Sequence, residues 1–125
     1  MPTTPASQPF EIHEHDVDGV HVIAMRGELD LATAPRLLVR VDASRREGSR
    51  RMVVDLTAAE FCDSVGLRAL FGAQQEMAAS SGRMAVAVGA DGAVGRLFVL
   101  AGASELLEVH PDADAAVAAL AHRAS

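Results

Sequence analysis

Residues 10–15 alternate between apolar and polar side chains, which is the pattern of a half-buried β-strand. An Asp-Gly turn follows and leads to a second predicted strand at 20–26, so the two strands are expected to form a hairpin. Residues 52–56 are almost all apolar, as in a strand buried on both faces of a sheet. Two shorter strands are predicted at 84–88 and 106–109.

Apolar residues at helical spacing predict four helices between and after these strands. The helices are expected from 33 or 34 to 48, from 63 or 64 to 81, from 92 to 102, and from 111 onwards. Thr33 is expected to cap the first helix, and residues 57–62 are expected to form a connector before the second. The buried faces are predicted to include Leu37, Leu38, Val41, Leu67, Leu70, Phe71, Met77, Ala78, Val94, Leu97, Phe98, Leu100 and Leu120.

The order of these elements predicts the fold class. An opening hairpin followed by alternating helices and strands indicates an α/β fold with a mixed, mostly parallel sheet of four to five strands and about four helices. A single domain is expected over 10–121, with a flexible N-terminal tail at 1–9 and a short C-terminal end at 122–125.

The composition narrows the classes of function. Half of the 125 residues are apolar, yet the chain has four Phe and no Trp or Tyr, so an aromatic ligand pocket or a base-stacking platform is not expected. A net charge of -6 disfavours a nucleic-acid partner. The chain has one cysteine, Cys62, and no apolar run of membrane-spanning length. We therefore expect a cytoplasmic protein with no internal disulfide and no direct membrane contact.

Two motifs associated with catalysis or nucleotide binding are incomplete. Ser64 stands in the sequence CDSVG, which lacks the first glycine of the G-x-S-x-G turn of serine hydrolases. The loop that starts at Gly89 has the spacing G-x-x-G-x-x-G and lacks the tight G-x-G turn of dinucleotide-binding loops. A glycine-rich turn is the favoured interpretation, with weak nucleotide binding, through this loop or the helix start at Ser64, kept as an alternative. No catalytic residue and no cofactor is predicted.

His13, His15 and His21 lie in the predicted hairpin and are candidates for a metal site if they converge across it. Surface positions on the two strands explain these histidines at least as well, and no acidic partner for them is evident. No metal site is therefore predicted.

Residues 61–67, with the sequence FCDSVGL, lie between a buried strand and a helix. Asp63 or Ser64 then stands at a helix start, where backbone N–H groups are free and the helix dipole is positive. From local evidence alone, either residue can be a simple N-cap. Gly66 lies in the first helical turn, where glycine costs about 1 kcal/mol relative to alanine. Its presence fits either close approach of a partner surface or tight packing against a neighbouring strand.

Four segments occur in a specific order and spacing: GELD at 27–30, VVDL at 53–56, FCDSVGL at 61–67, and Gly89 to Leu97 followed by 100–102. Together they resemble a STAS domain of the bacterial anti-sigma factor antagonist type. The resemblance runs from Phe10 to Leu120.

The resemblance implies a fold and a function. The family fold is a mixed sheet with helices packed mainly on one face. In the antagonist branch, the unphosphorylated domain is not an enzyme; it binds an anti-sigma factor that is also a serine kinase, and so frees a sigma factor. The serine after the aspartate in D-S-x-G-L is phosphorylated, which prevents binding, and a serine phosphatase restores the domain.

Carried over to this sequence, the resemblance implies that Ser64 is the phosphate acceptor. Asp30 corresponds to an acidic residue expected beside it, and Val65 replaces the second Ser or Thr of many relatives. The partner-binding residues are expected to be Asp30, Asp63, Val65, Gly66 and Leu67.

A second function stays open within the same fold. STAS domains also serve as subunits of lipid-transport ATPase complexes or stress-sensing complexes, where the domain can bind its partner without a phosphate cycle.

Overall fold

The computed structural model describes residues 9–121. Apart from Pro9, the predicted tail at 1–9 and the predicted end at 122–125 lie outside the described residues. The strands are β1 (Glu11–Val17), β2 (Val20–Leu29), β3 (Arg51–Cys62), β4 (Arg83–Ala87) and β5 (Glu108–His110). The helices are α1 (Ala34–Arg46), α2 (Ser64–Ala79), α3 (Gly92–Leu100) and α4 (Ala113–Ala121), with a 3-10 turn at Ala103–Glu105.

The five strands form one sheet in which spatial order follows chain order. β1 pairs antiparallel with β2, and all later neighbours pair in parallel. The predicted α/β fold with a mixed, mostly parallel sheet is confirmed. None of the helices within 9–121 is both long and apolar enough to cross a membrane.

Helices α1, α2 and α3 pack on one face of the sheet, and α4 packs on the other. Successive residues of a strand point to opposite faces. Thus Ile23 belongs to the larger core beneath the three helices, whereas Val22 packs with Leu120 of α4. Likewise, Val54 belongs to the larger core, whereas Val53 belongs to the core beneath α4. Because both faces of the central strands are covered, residues 52–56 are mostly apolar rather than alternating.

The strands β2 and β3 are longer than the sequence pattern predicts. Residues 57–62 are not a connector; they continue β3 and pair with the last residues of β2, down to Leu29 opposite Cys62. The register shifts twice along this pair, between Ala24 and Arg26 and between Gly27 and Glu28. Each shift inserts an extra β3 residue, as a β-bulge does. The bulges interrupt the period of two, and the segment therefore has the sequence pattern of a loop.

Three helix predictions need correction. The Thr33 side chain does not cap α1; its hydroxyl instead donates to the Glu28 carbonyl oxygen at 2.6 Å. Ala78 is exposed because it lies about 100° around α2 from the buried Met77. Leu100 is 85% exposed and lies about 200° around α3 from the buried Phe98. α3 is apolar on nearly every side, so its sequence does not indicate which side meets the core.

Candidate functional site

The segment before Ser64 forms a two-stranded extension of the sheet. β1 pairs with β2 only as far as Arg26, and β4 pairs with β3 only as far as Asp55. Beyond these points β2 and β3 pair with each other alone. α2 begins directly after the end of this extension, so its first turn lies at the carboxyl edge of the sheet.

Asp63 is the N-cap of α2, and Ser64 is its first helical residue. One carboxylate oxygen of Asp63, Oδ1, accepts a hydrogen bond of 2.9 Å from the amide N–H of Gly66. The amide N–H of Asp63 donates to the Leu29 carbonyl oxygen at 3.2 Å. Ser64 is exposed, and its hydroxyl makes no hydrogen bond to any residue within 9–121. The structure thus assigns the cap to Asp63 and leaves the Ser64 hydroxyl accessible.

Gly66 is buried against the end of β2. A Cβ atom at this position would stand 2.6 Å from the Leu29 carbonyl oxygen and 2.8 Å from the Leu29 Cγ atom. Of the two explanations given for this glycine, packing against a neighbouring strand therefore accounts for it. Leu67 is also buried, in the core beneath α2. Both residues were predicted to bind a partner, but their side-chain positions face the interior.

Asp30 lies at the same edge, directly after β2. Its Oδ1 atom accepts hydrogen bonds from the amide N–H groups of Ala32 and Thr33, at 3.0 and 3.1 Å. Its carbonyl oxygen accepts from the amide N–H of Ala34 at 2.8 Å. Asp30 therefore shapes the turn into α1. Because β2 and β3 are parallel neighbours, their ends bring Asp30 and Asp63 to one edge of the sheet.

Exposed apolar side chains surround the first turn of α2. Leu31 is 73% exposed, Phe61 is 42% exposed and Val65 is 36% exposed. The sequence prediction included Val65 but missed Leu31 and Phe61. Leu31 directly follows the GELD segment, and Phe61 lies two residues before the D-S-V-G-L segment. Their position as apolar residues beside a predicted polar site is the sequence signal that could have identified them.

Cys62 is unsuited to serve as a nucleophile. Its side chain is buried, and burial together with the negative charge of Asp63 raises the pKa of the thiol to about 12. Its Sγ atom contacts the Asp63 carbonyl oxygen at 3.4 Å, as a weak donor. The thiol therefore stays protonated at neutral pH and packs as a small apolar group.

The histidines do not form a common site. His13 and His15 pair with Ala24 and Val22, whereas His21 pairs with Asp16. Val22 faces α4, and His21 lies one residue away on the opposite face of β2. The His21 ring therefore lies on the opposite face of the sheet from His13 and His15, and within 9–121 no group of three or more His, Cys, Asp or Glu side chains is placed to hold a metal ion.

His21 instead joins two carboxylates of β1. Its Nδ1 atom is 2.7 Å from Asp16 Oδ1, and its Nε2 atom is 2.8 Å from Glu14 Oε1. Glu14 also accepts a hydrogen bond from Nε of Arg40 on α1. This network links the edge strand β1 to α1. Its residues are not part of the Ser64 segment.

Two glycines of the loop after β4, Gly92 and Gly95, have structural explanations. A Cβ atom at Gly95 would stand 2.5 Å from the Gly89 carbonyl oxygen, and Gly92 has a φ of +93°. Glycine is required at 95 because α3 packs closely on the loop, and it is favoured at 92 because the backbone there is left-handed. The turn into α3 thus accounts for glycine at 92 and 95.

Comparison with known proteins places this geometry in a family. The STAS domain family model matches residues 11–116. The chain belongs to the STAS domain family. This confirms the resemblance seen in the sequence, and the helices packed mainly on one face agree with it.

Two STAS relatives are named as antagonists. The anti-sigma-B factor antagonist of Staphylococcus aureus is 28% identical over 93 residues, which cover 74% of this chain and 85% of the relative. The crystal structure of an anti-sigma factor antagonist from Mycobacterium paratuberculosis has a TM-score of 0.82 and 30% identity, and covers 94% of this chain and 98% of its own. The chain is thus similar in sequence and fold to anti-sigma factor antagonists.

A second solved structure agrees in fold alone. The phosphorylated form of the Bacillus cell fate determinant SpoIIAA has a TM-score of 0.61 and 19% identity, and covers 86% of this chain and 96% of its own.

Proposed function

We propose that this STAS domain is an anti-sigma factor antagonist. In its unphosphorylated form it binds an anti-sigma factor with serine kinase activity and thereby frees a sigma factor. Phosphorylation of Ser64 by that kinase ends the binding, and a serine phosphatase restores it. In this role the domain acts as a protein-interaction switch and carries out no catalysis itself.

The observation that carries this proposal is the position of Ser64. Its hydroxyl is exposed at the first helical residue of α2, while the neighbouring Asp63 takes the capping role. A kinase can therefore reach the hydroxyl without breaking a cap. The exposed apolar residues Leu31, Phe61 and Val65 beside it offer a contact surface for a protein partner.

The helix start tolerates a phosphate. A phosphoserine adds about -1.5 to -2 charges at neutral pH. At the positive end of a helix dipole, this charge is favourable by roughly 0.3–1 kcal/mol. The carboxylate of Asp63 next to it opposes part of this gain. Phosphorylation of Ser64 should therefore leave the fold nearly unchanged.

The same phosphate opposes binding. A dianion placed among apolar contacts must lose its hydration, and the cost of removing charge from water reaches several kcal/mol. Each ~1.4 kcal/mol corresponds to a tenfold change in affinity. One phosphate can thus lower affinity by roughly a hundredfold or more. The switch acts by blocking the contact surface on an unaltered scaffold.

Incubation with candidate anti-sigma factor kinases and ATP tests this proposal. Peptide mass spectrometry should locate one phosphate on Ser64, and Ser64→Ala should abolish it. Ser104→Ala, which removes another exposed serine hydroxyl, is the matched control and should be phosphorylated like the wild type. If no kinase of this class binds or phosphorylates the domain, the proposal is wrong, and a STAS subunit without a phosphate cycle becomes the better interpretation.

A further inference from the structure

A groove of about 780 Å³ runs between α1 and α2. Its floor consists of small residues, including Ala69, Gly72 and Ala73, and its upper end is bordered by Leu31 and Val65. A Cβ atom added at Gly72 would have no neighbour within 4 Å, so the groove is open at that point. From Val65 to Glu76 the groove is about 17 Å long at 1.5 Å per helical residue, or three helical turns.

The groove joins the proposed contact surface at Ser64. Val65 lines it and directly follows Ser64, and Leu31 borders both regions. Along its outer side Val39 of α1 is 63% exposed. A continuous apolar strip therefore leads from the first turn of α2 into the groove. An unpartnered strip of this kind on a small domain marks an interaction surface.

The charges around the groove differ from those of the whole chain. Its charged lining residues are Asp42, Arg45, Arg46, Arg68 and Glu76. Three arginines against two carboxylates leave a local net charge of +1, in a chain whose net charge is -6. The groove is thus a locally basic surface on an acidic protein.

The internal ion pairs leave one of these arginines available. Asp42 pairs with both Arg45 and Arg46, and Glu76 lies 3.9 Å from Nε of Arg45. Arg68 makes no ion pair or hydrogen bond with any residue within 9–121. Its guanidinium group is exposed and is free to meet a carboxylate of another molecule.

We propose that an amphipathic helix of the anti-sigma factor docks in the α1–α2 groove, with its apolar face on Ala69, Gly72 and Val65 and an acidic side chain on Arg68. This inference rests on the proposed function and specifies the partner's structure at that site. A groove between two helices offers no unpaired backbone groups, so it suits a helix rather than an added strand. Glycine and alanine on the floor allow the incoming helix to approach closely.

This placement also specifies the regulation. A phosphate on Ser64 stands at the mouth of the groove, next to Val65. The phosphate repels the acidic side chain that the docked helix places on Arg68, in addition to obstructing the apolar contact. The same surface therefore selects the partner and responds to phosphorylation.

Binding measurements on groove variants test the docking site. The probes are the anti-sigma factor kinases encoded in the source genome, each supplied with ADP so that no phosphate is transferred. Gly72→Met fills the groove, and Arg68→Glu reverses its free charge; each should weaken binding at least tenfold. The matched controls are Gln75→Met on an exposed position of α2 and Arg96→Glu on α3, and both should bind within twofold of the wild type. Thermal unfolding of all four variants confirms that they are folded.

The outcomes separate this inference from the proposed function. If the wild type and all four variants bind equally well, the groove is not the docking site, although the antagonist function stands. If Gly72→Met instead abolishes self-association of the free chain and leaves kinase binding unchanged, the groove's occupant is a second copy and the inference is wrong. If the wild type binds none of the kinases, both proposals are overturned.

Discussion

Gly66 of α2 lies directly against Leu29 of β2, and a Cβ atom on Gly66 would stand 2.6 Å from the Leu29 carbonyl oxygen. That oxygen also accepts the amide hydrogen of Asp63. The contact fixes the first turn of α2 against the end of β2 and so determines where Asp63 and Ser64 stand. Glycine is required here by packing inside the domain.

This contact predicts opposite effects for two glycines of the same helix. Gly66→Ala should destabilise the domain by about 1–3 kcal/mol because the added methyl group forces the backbone of β2 and α2 apart. Gly72→Ala should stabilise it by up to about 1 kcal/mol, since its Cβ meets open space and alanine favours the helix. Chemical denaturation measures both changes. Equal effects of the two substitutions would contradict the packing of Gly66 on Leu29.

Asp63 should contribute to stability through its cap. Asp63→Ala removes the acceptor of the Gly66 amide hydrogen and should lower the free energy of unfolding by about 0.5–2 kcal/mol. Asp63→Asn keeps a capping oxygen and is the matched control, with most of the stability retained. Urea denaturation distinguishes the two variants; an alanine variant as stable as the wild type would show that the cap is dispensable.

Ser64 variants should separate folding from binding. Ser64→Ala should fold, bind the kinase and resist inactivation, because the hydroxyl makes no internal hydrogen bond to the described residues. Ser64→Asp should bind about tenfold more weakly, since it adds one charge where a phosphate adds about -1.5 to -2. Calorimetric titration measures the affinities. The electrostatic mechanism fails if the aspartate and alanine variants bind equally, or if phosphorylation of Ser64 strongly lowers the melting temperature.

His21 should make stability depend on pH. Partial burial lowers the pKa of His21, but hydrogen bonds and charges from Asp16 and Glu14 outweigh this and raise it above 6.5. A raised histidine pKa means that the protonated ring stabilises the folded state. This contribution is fully present below pH 6.5 and is lost as the pH rises through the higher folded value.

The measurement compares His21→Gln with the wild type between about pH 5.5 and pH 9. The stability difference should be larger at the acidic end, by no more than about 1 kcal/mol because the Asp16 carboxylate, one of the two partners of His21, is largely exposed to solvent. Glu14 does not titrate in this pH range. Burial raises its pKa, but Arg40 and His21 lower it overall, so the contribution of Glu14 to stability is lost only as the pH falls below 4.5. His13→Gln is the matched control, since His13 is exposed and makes no hydrogen bond within 9–121. A pH-independent difference for His21→Gln would contradict this account.

Cys62 should resist thiol reagents while the domain is folded. Its burial and a pKa of about 12 leave almost no thiolate at neutral pH. Labelling by a disulfide reagent should therefore be slow in buffer and rapid in denaturant. A rate in buffer close to that of a free thiol would show that the end of β3 opens readily.

The sequence indicated the main elements because their patterns are local. Residues 52–56 were predicted as a strand buried on both faces, and the structure places Val53 and Val54 in separate cores. The start of α2 was predicted within one residue, since Asp63 and Ser64 are typical of a helix N-terminus. The family could be recognised from the order of four short sequence segments, each of which can be read without knowledge of distant contacts.

The tertiary structure decided what depends on neighbours far along the chain. The bulges that extend β3 to Cys62 exist only because β2 pairs with it, and they hide the strand in the sequence pattern. The side of α3 that faces the core, and hence the exposure of Leu100, is set by packing on the sheet.

For the site itself, the sequence by itself determined that Ser64 begins a helix after a buried strand. It left open whether Ser64 or Asp63 caps that helix and why Gly66 is a glycine. The structure answered both questions. The Gly66 amide N–H donates to Asp63 within the same helical turn, and Gly66 packs against Leu29, more than thirty residues away along the chain. A sequence pattern indicates which residues of a segment can be buried. How closely that segment packs depends on the strand beside it, here β2 at Leu29.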